Sequence, residues 1–243
     1  MTFPIRRALS NLFAGTLTLA VTSAGLLGAA TLPAHALPTE QVAARLATVP
    51  VYVIGTNDSV LLLSTEENAE LANLLVFMSQ PLAEAFAANN SELVGSNQIK
   101  RTNLANIYLY QQDRAQQEQP VQLTFVPEAD ETNQARALNS EYPGGVPLFY
   151  VHPVGREGEP LPSVTPAGDG ETVIPMFFSH EDLESELNAI GQADRAAREA
   201  IEIGVLPLEF LIGRMQAQEE EGFNRILLLP GSDTVQGAGG AQN

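Results

Sequence analysis

From Leu37 onward the chain offers catalysis only two histidines, scattered hydroxyls and many carboxylates. His180 stands between Ser179 and Glu181, the residue types of a nucleophile, a base and an orienting acid. Hydrolysis through such a set needs the base to face the nucleophile and the acid to hold the base. Three consecutive side chains point in different directions, so Ser179 reads better as a helix cap. No Gly-x-Ser-x-Gly elbow is present. His152 and His180 with a carboxylate are zinc-ligand types, yet no close His-x-x-x-His spacing joins them. An ordered Asp-x-Asp calcium loop is absent. Gly237-Ala238-Gly239-Gly240 precedes no helix, and Gly144-Gly145 precedes a strand, so neither cradles phosphate. An exported metal-dependent hydrolase therefore stands as the weakest of the readings.

Composition narrows the field further. The 243 residues hold 29 Asp+Glu against 12 Lys+Arg, a formal charge of -17, with no Cys and no Trp. Zero cysteines exclude disulfides, zinc ribbons, Fe–S clusters and thiol nucleophiles. The acidic balance argues against nucleic acid as a partner. Hydrophobic residues at 44% are too abundant for a disordered chain.

Residues 1–36 read as a cleaved export signal: Arg6-Arg7, an apolar stretch from Leu12 to about Ala30, then Ala34-His35-Ala36. Processing after Ala36 would start the mature chain at Leu37. No second apolar run is long enough for an integral membrane span. Export without disulfides fits a periplasm, or a thylakoid-associated space, better than an animal extracellular one.

The rest is expected to form one domain, 37–230, made of two copies of one unit. Val49-Pro50-Val51-Tyr52-Val53-Ile54 matches Val146-Pro147-Leu148-Phe149-Tyr150-Val151. Leu75–Ser79 matches Pro175–Ser179, Leu104/Ile107/Tyr108 match Leu208/Leu211/Ile212, and Leu123–Pro127 matches Ile226–Pro230. The units run 49–127 and 146–230, joined by a helical connector, 128–145, with Ala135 and Leu138 facing in. The tail, 231–243, is Gly-rich and expected to be disordered. Each unit reads strand–strand–helix–helix–strand, with helices near 103–117 and 207–221. The fold class is α+β: two sequence-related repeats about a pseudo-two-fold axis, helices packed on a central sheet. The excursion after the first strand is short at Gly55–Asp58 and long, Pro/Gly-laden, at 155–170.

Aromatic residues gather in the paired strands and the helix after them. Most belong to the core by ordinary burial preference. Some are candidates to line apolar grooves that hold client segments: Phe77, Leu82 and Phe86 in one unit, Phe177, Leu183 and Leu187 in the other.

These blocks, with Leu37-Pro38-x-Glu40 and Phe77-Met78-Ser79-Gln80, resemble the Tic-twenty-two family over about residues 37–230. That family comprises soluble components of protein import at the chloroplast envelope, with cyanobacterial relatives. The resemblance implies a non-enzymatic, chaperone-like protein without cofactor or metal, assisting protein transport and outer-membrane biogenesis. Its partners would be unfolded outer-membrane or translocating clients, and translocon or assembly components. The alternative is an adaptor that bridges folded translocon components.

Overall fold

Along one strand, Val51 and Val53 face one way, Tyr52 and Ile54 the other, and all four are buried. Such a strand has to lie in a sheet covered on both faces. The computed structural model describes residues 37–232 apart from 57–58, 66–67, 165–171 and 218–221. The expected export signal, most of the tail and parts of both excursions lie outside the described residues.

In the first half, β1 (Pro50–Gly55) pairs antiparallel with β3 (Asn68–Phe77) and with β4 (Gln98–Asn103). β5 (Val121–Val126) pairs with β3 in parallel, and the short β2 (Leu62–Thr65) pairs with β3 antiparallel. In the second half, β6 (Pro147–Pro153) pairs antiparallel with β8 (Thr172–Phe177) and with β9 (Ile201–Pro207). β10 (Ile226–Leu229) pairs with β8 in parallel, and β7 (Ser163–Val164) pairs with β8 antiparallel. Registers correspond as well: Tyr52 faces Phe77, and Phe149 faces Phe177.

The helices fill the faces. α1 (Thr39–Leu46), α4 (Leu104–Gln116) and α8 (Leu208–Ala217) share one hydrophobic cluster with both sheets. Val51, Val53 and Val76 enter it from the first half, and Leu148, Tyr150 and Met176 from the second. The opposite face of the first sheet, with Tyr52, Ile54 and Phe77, is covered by α2 (Gln80–Asn89) and α3 (Ser91–Val94). The second presents Phe149, Val151 and Phe177 to α5 (Ala129–Leu138) and α6 (His180–Ala193), and α7 (Arg195–Glu199) leads from α6 into β9. Burying a side chain such as Phe77 or Phe149 fully contributes roughly 1.5–3 kcal/mol, so period-two alternation on the inner strands sets these layers.

Three expectations need correction. There are two five-stranded sheets, not one central sheet. Each half carries an additional strand, β4 or β9, between its helices. Leu138 is 42% exposed while Ala135 is fully buried, because α5 is short and turns only its middle inward.

Candidate functional site

Four of the six apolar candidates are sealed in the core. Phe77 is 1% exposed, Phe177 6%, Leu183 2% and Leu187 1%. The most apolar stripe of a helix is the one its sheet covers, so these side chains hold α2 and α6 to the sheets and offer no surface to a client. Leu82 and Phe86 are half-buried on α2, and the Phe86 ring packs 5.3 Å from that of Phe77. Around Phe177, Leu183 and Leu187 the free space is about 30 Å³, room for a water molecule at most.

The histidines are likewise structural. His152 is 5% exposed, and its Nδ1–H donates to the Pro153 carbonyl at 2.9 Å. The His180 ring packs edge-to-face with that of Phe149, their centroids 5.3 Å apart. Ser179 Oγ accepts from Asp182 N at 3.2 Å, the capping role, so no nucleophile–base–orienter chain forms there. Among the described residues, no three His, Asp or Glu side chains are grouped to hold a metal ion.

A concave feature lies elsewhere, where the ends of the two inner strand pairs meet. It is a cleft of about 830 Å³. Val49, Pro50, Met78 and Ser79 reach it from the first half, and Val146, Pro147, Phe178 and Ser179 from the second. Backbone bonds set those points alike. Leu104 N donates to the Val49 carbonyl at 2.9 Å, and Leu208 N to that of Val146 at 2.8 Å. Met78 N reaches the Val126 carbonyl at 3.2 Å, and Phe178 N that of Leu229 at 3.1 Å.

The polar dressing of the cleft differs between the halves. The Ser79 hydroxyl makes no cap bond and, although buried, has no hydrogen-bond partner among the described residues. Glu84, Glu128, Asp130, Glu131, Glu181 and Asp182 bring six carboxylates to the lining, which includes no Lys, Arg or His. Glu131 crosses from α5 to accept His180 N at 2.9 Å, bracing the first turn of α6. Burial pushes its carboxyl above the usual carboxylate range, against the lowering pull of the His180 amide and the Ser179 hydroxyl. Asp182 accepts both the amide and the hydroxyl of Ser232, at 2.7 and 2.9 Å, and so fixes the chain after β10. Glu209 of α8 receives Val146 N at 3.1 and 3.3 Å and holds the start of β6 at the cleft; burial raises its carboxyl too.

The sequence pattern of the Tic22-like family matches residues 4–238. The chain belongs to the Tic22-like family. A relative within reach of that family is the pea (Pisum sativum) "Protein TIC 22, chloroplastic", 26% identical over 211 residues, which span 82% of this chain and 77% of the relative. Among solved structures, Anabaena Tic22 (protein transport) superposes with a TM-score of 0.69 at 20% identity, covering 85% of this chain and 99% of that one. Tic22 from Plasmodium falciparum superposes at 0.60, also at 20% identity, covering 81% and 95%. The α+β fold is thus that of the solved Tic22 structures.

Sequence reasoning missed the cleft because it sought the most apolar helix faces. A usable signal was present: the repeated blocks Val-Pro and Met/Phe-Ser both fall at strand ends, and the acidic connector Glu128–Glu131 lies beside them.

Proposed function

We propose that this protein takes part in protein transport as a non-catalytic holder of polypeptide in transit, outer-membrane clients included. Export by a signal removed after Ala36 would deliver it to a periplasmic or intermembrane space. Among the described residues no helix is long and apolar enough to cross a membrane, so tethering would fall to partners. Family membership supports the transport role, since the Anabaena relative is described as a protein-transport protein and the pea relative as chloroplastic TIC 22.

The observation that carries the reading is the cleft, whose volume of about 830 Å³ suits a few residues of extended chain and not a folded domain. Two related halves within one domain, 37–230, account for it. What supports a repeat about an approximate two-fold axis is the shared strand order, the paired registers and the corresponding Val49/Val146 and Met78/Phe178 bonds.

The experiment is suppression of aggregation of a denatured outer-membrane β-barrel by the processed protein, with Pro81→Arg/Ser185→Arg placed in the exposed lining of the cleft. Protection that this variant loses while its circular dichroism stays native supports holding in the cleft. Absence of protection at stoichiometric excess turns the reading to an adaptor for folded partners.

A further inference from the structure

We propose that the occupant of the cleft is an extended polypeptide segment carrying basic side chains among apolar ones. The proposal rests on the client-holding reading and names the chemistry of the segment.

Charge is the first ground. Glu131 and Asp182 are engaged by amides of this chain, and Glu84 accepts from Gln80 Nε2 at 2.7 Å. Glu128, Asp130 and Glu181 form no ion pair among the described residues, where the pairs are Arg156–Glu159 and Arg195–Glu199, both away from the cleft. Three carboxylates held in one concavity without a cation raise the local potential, and concave low-dielectric walls focus it. Basic side chains relieve that repulsion.

The floor supplies the second ground. The exposed ring of Pro81 and the half-buried rings of Phe178 and Pro230 present carbon surface, so a small hydrated cation gains nothing from them, while the apolar side chains of a segment do. An acidic peptide is excluded by charge, and a folded domain by size.

The test is fluorescence anisotropy with the purified protein and three labelled peptides in which Leu alternates with Arg, Ser or Glu. The Arg peptide is expected to bind, the Glu peptide not, and the Arg affinity to fall as salt rises. Glu128→Gln/Asp130→Asn/Glu181→Gln should weaken the Arg peptide about tenfold, the scale of a few partly screened pairs, with the native circular dichroism retained. Glu92→Gln/Asp113→Asn/Glu202→Gln removes as many exposed charges elsewhere and should leave binding intact. Equal weakening by both triples, equal binding of the Arg and Ser peptides, or spermine competing as well as the Arg peptide would each overturn the proposal. The outcomes separate the two levels. Arg-selective binding without protection of an unfolded client removes the holding role and keeps the cleft chemistry; protection with no Arg preference does the reverse.

Discussion

Gly145 stands at the entrance to β6 with φ +88, and a Cβ built there would lie 2.5 Å from Glu209 Oε2. That carboxylate is the acceptor for Val146 N. Gly145→Ala therefore costs twice. A left-handed conformation for a residue with a Cβ costs roughly 1–2 kcal/mol. Glu209, being flexible, then swings away and abandons the Val146 amide; a hydrogen bond to a charged group is worth about 1.5–3 kcal/mol. The sum is roughly 2.5–5 kcal/mol. Gly144→Ala is the control: φ is +101 and nothing lies within 4 Å of its Cβ, so only the backbone cost applies. The assay is urea unfolding of both variants in the native and Glu209→Ala backgrounds. With Glu209 gone, the excess cost of Gly145→Ala over Gly144→Ala should shrink to within a few tenths of a kcal/mol, the ordinary limit of additivity. An excess that persists without Glu209 would refute the coupling, and with it the claim that α8 holds the second-half wall of the cleft.

Three further outcomes are expected. Leu187→Ala should lose about 2–5 kcal/mol in chemical denaturation, whereas Phe210→Ser, at a position 57% exposed, should stay within about 0.5 kcal/mol of the parent; comparable losses would contradict the burial described. Ser179→Ala should cost about 1 kcal/mol through its cap, while Ser79→Ala, which removes an unpartnered hydroxyl, should be neutral or mildly stabilising; calorimetry that reverses this order would show Ser79 to be satisfied. Glu131 and Glu209 have folded pKa values raised above 4.5 by burial. Such carboxyls bind protons more tightly folded than unfolded, so their contribution to stability improves as pH falls from neutral through the raised values, and levels off near 4.5. Glu131→Gln/Glu209→Gln should flatten the rise in thermal midpoint over that window; an unchanged slope would assign the rise to relief of general negative charge.

Much of the scaffold was legible because its signals are apolar and periodic. The inner strands announce themselves by β-branched and aromatic runs buried on both faces, and α6 by Ser179 and its Leu183/Leu187 stripe. β4 hid because Gln98-Ile99-Lys100-Arg101-Thr102-Asn103 is polar: it is an edge strand, where charge guards against stray pairing. β9 was readable in principle, since Ile201, Ile203 and Val205 alternate toward the second core, but the reading assigned only the helix near 207–221 and gave the run before it no element. The same habit chose the candidate residues. Apolarity at helical spacing marks what a helix must bury, so Leu183 and Leu187 were poor choices for a surface.

The cleft escapes such pattern reading because it belongs to no single element. The corresponding halves bring like apolar points together: Val49 with Val146, Pro50 with Pro147, Met78 with Phe178. Their backbone bonds match closely, so the concavity is a consequence of the strand ends meeting and requires no dedicated loop. The halves differ in their polar dressing. Ser179 is used up as a cap while Ser79 is left over, and Glu181 stands near the start of α6 where α2 has Pro81. Five of the six carboxylates come from the α5 and α6 side, namely Glu128, Asp130, Glu131, Glu181 and Asp182, against Glu84 alone from α2. Carboxylates near the N-terminus of α6 are compatible with its dipole, so that end of the helix can carry them without loss of the fold. The cleft thus takes its carboxylates mainly from one side, while its prolines come from both halves, Pro50 and Pro81 from the first and Pro147 and Pro230 from the second.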